Sequence, residues 1–315
     1  MNIDIYVESR RQMVNESLTK FVNARYSDEM MRVAAYIAMG GKRLRGVLTC
    51  LVCESLGGKP EEAMVGAVAC EMIQAASLSH DDIMDGDTTR RGQPSTWASQ
   101  GILKAIMVPH VMVPHAALFI SQYGLRAMLS VIEHWSRIST GQALDMPELH
   151  HLGVTPGTID QYDLIISGKT GAGFEIAAEL GARAVKQDWL IKPTQTYGMG
   201  IGMAFQVADD ACDLLENIDR PWDTLGKNGK VAVSLMALKA KLASGEMITT
   251  QDADMAWAWA MDWVGRAQET ATLLASEGEF ALLLQDYPLA TIRALRAETE
   301  ARIKARAEST VQAGG

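Results

Sequence analysis

The chain has few aromatic residues, few cysteines and no net positive charge. Aromatic residues make up 6% of its 315 residues, and stretches in which Val, Ile or Thr alternate with polar residues are scarce. Strands therefore have little support, and the apolar residues recur instead at helical spacing. The net charge of −9 argues against a protein that binds nucleic acid without regard to its sequence.

The four cysteines lie in apolar, helical patterns, at Cys50, Cys53, Cys70 and Cys212. The Cys50-x-x-Cys53 spacing is compatible with a redox or metal pair, but no second pair follows. Buried free thiols are the favoured interpretation, and they fit a reducing cytoplasm. We also expect no transmembrane segment, because the N-terminal residues are mixed and charged and no apolar run reaches the length of a membrane span.

The predicted fold is all-α, in one domain that covers residues 1–315. Hydrophobic residues make up 48% of the chain, and no low-complexity linker or long-period repeat divides it. Long helices are predicted from Pro60 to about Asp85 and from Pro193 to about Glu216. Pro109 and Pro114 are predicted to break or kink a helix between them.

The most informative motif is D-D-x-x-D, which occurs twice. Three carboxylates on one helical turn repel each other unless a cation lies between them. A single copy would equally fit a solvated helix end, but two copies within apolar helices favour a cavity that holds several divalent ions. Because magnesium binds through one or two carboxylates plus substrate phosphates, the motifs indicate diphosphate chemistry. The two copies are Asp81, Asp82 and Asp85, and Asp209, Asp210 and Asp213.

Cations form a second layer of candidate residues. The segment 40–45, Gly-Gly-Lys-Arg-Leu-Arg, places three cations at a Gly-rich helix start, which suits an anion. Arg90 and Arg91 follow the first aspartate motif after a short loop, and arginine offers a planar fork to phosphate oxygens. Either cluster alone would be interpreted as a solvated surface patch. Beside paired aspartates, both indicate anion sites.

In this order, the residues resemble the trans-isoprenyl diphosphate synthases, also called polyprenyl synthetases. The match extends roughly from Gly40 to Lys230, and its most specific part is the pattern G-x-x-F-Q-x-x-D-D-x-x-D from Gly202 to Asp213. The resemblance implies an isoprenoid-synthase-type helical bundle around a central cavity, and a homodimer. It implies condensation of isopentenyl diphosphate with an allylic diphosphate, through ionisation, condensation and elimination.

The resemblance also implies a role for each candidate residue. Three magnesium ions would be held directly by Asp81, Asp82, Asp85 and Asp209, with Asp210 and Asp213 acting through water. The allylic diphosphate would meet Lys169, Thr170, Gln206 and the loop lysines Lys227 and Lys230, with Arg90 leaning to this side. Isopentenyl diphosphate would be held by Gly41, Lys42, Arg45, Gln74 and Arg91. Lys169 and Lys227 join the metal-binding aspartates as expected catalytic residues.

Chain length is expected to depend on the residues just before Asp81. Members of the family that stop at C15 usually carry aromatic residues there, whereas this chain has Ala76 and Ser77. Since small side chains leave a tunnel open, the resemblance implies a product of C20 or longer.

Two other functions are compatible with parts of this pattern. A class I terpene cyclase on the same fold would use the same metals but would not need a second diphosphate pocket. A non-catalytic subunit of a heteromeric prenyl synthase would usually have lost one aspartate motif, and both motifs are intact here. The prenyltransferase is therefore the favoured interpretation.

Overall fold

The computed structural model describes residues 1–26, 28–146, 159–222, 246–275 and 277–313. Nearly all of these residues are helical, and the predicted all-α fold is confirmed. The helices are α1 Ile3–Arg25, α2 Asp28–Ala38, α3 Leu44–Ser55, α4 Pro60–Met84, α5 Thr96–Gln100, α6 Ile102–Ile120, α7 Leu125–Asp145, α8 Ile159–Ile166, α9 Ala172–Ala184, α10 Ile191–Glu216, α11 Thr250–Ala271 and α12 Glu279–Ala313.

Short irregular elements link some of these helices. A hairpin of two residues per strand, β1 Thr89–Arg90 and β2 Gln93–Pro94, lies within the predicted loop after α4. Turns of 3₁₀ helix cover Ser121–Tyr123 and Asp188–Leu190. A π-helical turn at Ser167–Gly171 joins α8 to α9. Such turns are rare and are frequent at functional sites.

The central helices pack closely because small residues face each other. A Cβ atom added to Gly202 on α10 would lie 2.7 Å from Cα of Gly171, and one added to Gly198 would lie 2.3 Å from the carbonyl oxygen of Phe174. The backbone of α10 therefore packs directly against the backbone of the π-helical turn and of α9. This contact brings the second aspartate motif, on α10, next to Lys169 and Thr170.

Helix α6 is continuous through Pro109 and Pro114, so the predicted break is wrong. Pro109 has no N–H group and leaves the carbonyl oxygen of Ala105 without its helical partner. The hydroxyl of Ser79 on α4 donates to this oxygen at 3.1 Å. The neighbouring helix thus supplies the hydrogen bond that proline removes. Helix α12 also continues through a proline, Pro288.

The structure confirms the prediction about the cysteines but not the one about apolar runs. All four cysteines are free and buried, as predicted. Within the described residues, Ile102–Tyr123 is long and apolar enough to cross a membrane, and 39% of its most apolar window is buried in the protein. The expectation that no run reaches this length is therefore wrong. Length and composition do not distinguish a helix of a globular bundle from a membrane span. That the whole chain forms one domain stays a prediction.

Candidate active site

A cavity of about 1580 Å³ lies between the helices that carry the two aspartate motifs. Most of the candidate residues from the sequence line it, although they come from five separate parts of the chain. Those that line it are Gly41, Lys42, Arg45, Gln74, Ser77, Asp81, Asp85, Arg90, Arg91, Lys169, Thr170, Gln206, Asp209, Asp210 and Asp213. Lys227 and Lys230 lie outside the described residues, and their roles stay predictions.

Two candidate residues on α4 do not line this cavity. Asp82 lies at a smaller neighbouring cavity of about 230 Å³, and Ala76 is fully buried. The reason is helix geometry: Asp81 and Asp85, four apart, share a face, while successive residues are turned by about 100°. The direct metal-ligand role of Asp82 is therefore not supported by its position. Ser77, and not Ala76, is the small residue at the cavity wall.

Asp82 instead holds an arginine. Its Oδ1 accepts hydrogen bonds from Nε of Arg90 at 2.7 Å and from Nη2 of the same guanidinium. Nη2 of Arg90 also lies 3.7 Å from Oδ2 of Asp87. The indole N–H of Trp97 donates to the carbonyl oxygens of both Asp82 and Asp87, at 2.9 and 2.8 Å. This set fixes Arg90 at the edge of the cavity, next to Asp81.

Asp210 in the second motif is held by protein donors on both carboxylate oxygens. The hydroxyl of Tyr162 donates to Oδ2 at 2.5 Å, and Nε2 of Gln206 lies 3.1 Å from Oδ1. The hydroxyl of Thr170 donates to Oε1 of Gln206 at 2.5 Å. Burial raises the pKa of Asp210 to about 7, and the neighbouring Asp209 adds to the shift. An indirect role for Asp210 fits this arrangement.

Lys169 projects from the π turn into a group of carboxylates. Its Nζ donates to Oδ2 of Asp145 at 2.6 Å. Burial opposes a charged lysine, but the carboxylates of Asp145 and Asp81 outweigh it and raise the pKa of Lys169. A Cβ atom on Gly141 of α7 would lie 2.1 Å from the backbone nitrogen of Lys169. Only glycine lets α7 approach the turn closely enough for this ion pair.

The sequence motifs do not include three residues of the site, Asp145, Gly141 and Tyr162. Asp145 and Gly141 are four residues apart on one face of α7, which is the only local signal that links them. Tyr162 precedes the second aspartate motif by 47 residues, and nothing in its own neighbourhood indicates that it would contact Asp210.

Gly41 and Arg91 are in direct contact. Gly41 has φ of 95°, and a Cβ atom added there would lie 2.6 Å from Cζ of Arg91. Nη1 of Arg91 donates to the carbonyl oxygen of Met39 at 2.8 Å. Both the backbone conformation and the packing therefore require glycine at position 41. The guanidinium of Arg91 therefore packs against the Gly-rich loop.

Arg45 is a buried cation at the cavity wall. Its Cζ lies 4.4 Å from the centre of the Phe174 ring, and its Nε has no hydrogen-bond partner among the described residues. Burial lowers the pKa of Arg45 to about 10. A buried guanidinium with an unused donor is costly unless an anion binds to it, which fits the predicted anion site.

The donor set suits magnesium. The carboxylates are hard oxygen ligands that come from two helices around one cavity, and burial raises the pKa values of Asp81 and Asp209. Among the residues that the structure describes, no three Asp, Glu, His or Cys side chains converge into a ready-made metal cage. Magnesium commonly relies on one or two carboxylates and completes its shell with water and substrate phosphates, so an open arrangement is expected.

Comparison with known proteins agrees with this site. The chain is 31% identical over 214 residues to hexaprenyl pyrophosphate synthase from Saccharolobus solfataricus, a match that covers 67% of this chain and 72% of that protein. It is 32% identical over 239 residues to a short chain isoprenyl diphosphate synthase from Methanothermobacter thermautotrophicus, over 73% and 72% of the two chains.

Solved structures share the fold. The geranylgeranyl pyrophosphate synthetase of Pyrococcus horikoshii superposes with a TM-score of 0.72 at 25% identity, over 92% of this chain and 97% of the other. That of Geoglobus acetivorans gives a TM-score of 0.75 at 23% identity, over 91% and 99%. The sequence model of the Polyprenyl synthetase family matches residues 27–254. The chain therefore belongs to the polyprenyl synthetase family.

Proposed function

We propose that the protein condenses isopentenyl diphosphate with an allylic diphosphate to give a polyprenyl diphosphate of C20 or longer. The observation that carries this proposal is a single cavity lined by both aspartate motifs and also by Lys42, Arg45 and Arg91. A terpene cyclase would have no use for the second set of cations. The intact aspartate motifs argue against a non-catalytic subunit.

The residues divide the work of the reaction. Three magnesium ions, bound through Asp81, Asp85 and Asp209, would neutralise the charge that develops on the leaving diphosphate. Lys169 and Arg90 bind the same diphosphate as its C–O bond breaks. Arg45 and its neighbours hold isopentenyl diphosphate so that its double bond attacks the allylic carbon. A C–C bond forms, and the proton that is lost goes to the released diphosphate.

Water must be kept from the allylic cation. The cavity wall includes apolar side chains from several helices: Leu78, Ile83, Ile106, Trp135, Ile138 and Phe205. These side chains offer no nucleophile to the cation and leave room for a growing hydrocarbon chain.

The test is a product assay with magnesium and labelled isopentenyl diphosphate. The allylic partners of C5, C10, C15 and C20 are supplied in turn, and the products are hydrolysed and sized by chromatography. Label in a ladder of products that ends at C20 or beyond supports the proposal. A hydrocarbon or alcohol made from an allylic substrate without label would support the cyclase, and no reaction would support the subunit.

Ser77 provides a test of product length. Replacing Ser77 with Phe should stop elongation at about C15, because an aromatic ring at this position would fill the cavity one turn before Asp81. Ser77→Ala keeps the side chain small and should leave the product distribution unchanged. Chromatography of the products from both variants measures the chain length at which each one stops. An unchanged ladder in Ser77→Phe would place the limit elsewhere.

We further propose a homodimer in which α6 and α7 of two copies meet. The outer face of these helices carries large exposed apolar residues, with Leu103 76%, Leu125 64% and Leu129 54% exposed. Large exposed apolar side chains on neighbouring helices can mark an interface. Sedimentation equilibrium should give twice the chain mass of 34.2 kDa. The Leu129→Asp variant should be largely monomeric, with a mass close to that of one chain. A monomeric wild-type protein would contradict the proposal.

We also place the protein in the cytoplasm. The four cysteines are free and buried, and unpaired thiols are usual in a reducing compartment.

A further inference from the structure

One face of α12 lines the cavity with charged side chains. Ala294, Glu298 and Arg302 succeed one another at intervals of four residues, so they share this face, and all three belong to the cavity wall. None of them belongs to the motifs that identified the site. The last long helix thus contributes one acidic and one basic side chain to the cavity that the aspartate motifs and the basic loops also line.

Glu298 is in contact with Lys42. Oε2 of Glu298 lies 2.9 Å from Nζ of Lys42. This nitrogen is buried, and it makes no well-aligned hydrogen bond with any residue in the described part of the chain. The contact is therefore one of charge, and the three donors of the ammonium are not committed to fixed acceptors. The Glu298 side chain is 54% exposed. Its carboxylate can therefore turn into solvent when another anion approaches Lys42.

The position of α12 does not depend on this contact. Nε of Arg302 donates to Oε1 of Glu216 at 2.7 Å, and Nη1 of Arg306 lies 3.1 Å from Oε2 of the same residue. At the other end of the cavity wall, the hydroxyl of Tyr287 donates to the carbonyl oxygen of Leu44 at 2.5 Å. These contacts tie α12 to α10 and α3 on both sides of Glu298. Loss of the Glu298 charge would leave the helix in place.

We propose that Glu298 competes with isopentenyl diphosphate for Lys42 and thereby sets the affinity of the homoallylic site. This inference rests on the proposed function. The carboxylate holds Lys42 until a diphosphate oxygen displaces it, because one compact ammonium serves either anion but gains more from the one with the higher charge. Glu298 thus acts through Lys42 and weakens binding of both isopentenyl diphosphate and the free diphosphate ion.

The experiment is calorimetric titration of the full-length protein with isopentenyl diphosphate and, separately, with inorganic diphosphate. Glu298→Gln should bind each about two- to fivefold more tightly than the wild type, the range expected for a partly exposed ion pair. In steady-state assays, KM for isopentenyl diphosphate should fall by the same factor. Neither kcat nor the KM for the allylic diphosphate should change. A general structural effect of the substitution would alter these two parameters as well.

Two controls isolate the contact. Glu300→Gln removes the same charge from the same helix, but Glu300 pairs with Arg296 at 2.9 Å and does not line the cavity, so its affinities should equal those of the wild type. In a Lys42→Ala background, Glu298→Gln should have no further effect on KM for isopentenyl diphosphate.

The outcomes separate the two proposals. Equal or weaker binding in Glu298→Gln, or an effect that persists without Lys42, would overturn the competition while leaving the proposed function intact. A wild-type protein that does not bind isopentenyl diphosphate would overturn both.

Discussion

Replacing Asp81 with Asn should lower the rate of condensation by about 10²- to 10³-fold, as removal of one main electrostatic contributor commonly does. Asp81 lines the cavity with Asp85 on one face of α4, and under the proposed function its charge would hold the diphosphate through magnesium. Incorporation of labelled isopentenyl diphosphate measures the loss.

The same substitution should leave the fold intact. Burial raises the pKa of Asp81, which means that its ionised form costs folding stability at neutral pH. The metal-free Asp81→Asn variant should therefore unfold at the same temperature as the wild type or slightly above it. The rise in Tm on adding magnesium with inorganic diphosphate should be smaller than in the wild type.

The control is Asp262→Asn, an exposed residue of α11 outside the cavity. It should retain both the rate and the full magnesium-dependent rise in Tm. Near-normal turnover in Asp81→Asn would contradict the metal-binding role of the first motif.

Replacing Arg45 with Met should make the protein more stable and much less able to bind isopentenyl diphosphate. Arg45 is buried, and its lowered pKa of about 10 means that the folded state disfavours its charge at every pH below that value. A well-packed apolar side chain removes this cost, which should raise the free energy of unfolding by about 1 kcal/mol or more. Loss of a buried cation for the diphosphate should raise KM for isopentenyl diphosphate about 10²-fold.

The matched control is two residues away. Arg43 is also buried, but its Nε donates to Oδ1 of Asn15 at 2.7 Å, and its Nη1 lies 3.4 Å from Oε2 of Glu71. Arg43→Met leaves these acceptors without their partner and should lower the free energy of unfolding by about 3 to 5 kcal/mol. Urea denaturation of both variants measures these changes in the free energy of unfolding, which should have opposite signs. A destabilised Arg45→Met variant would show that Arg45 serves the fold and not the substrate.

Local signals predicted most helix boundaries well. Helix α4, Pro60–Met84, ends one residue before the predicted Asp85, and α10, Ile191–Glu216, ends at the predicted residue. Glycine after the last turn and proline in the first turn act on their own neighbourhood, so they can be read from the sequence alone. Pro109 did not follow the local rule, because its effect depends on Ser79 of a different helix.

The sequence by itself determined the helical class, the family and most of the residues proposed to bind the metals and the two diphosphates. Motif spacing places Asp81 and Asp85, or Lys42 and Arg45, close together whatever the rest of the chain does. Only the tertiary structure decided which of the neighbouring aspartates belong to the cavity and which partners they have. Asp82 is turned to Arg90, Tyr162 holds Asp210, Asp145 holds Lys169, and Glu298 meets Lys42. These pairs are distant in sequence or lie on adjacent helix faces, and their contacts depend on how whole helices pack, which no local pattern encodes.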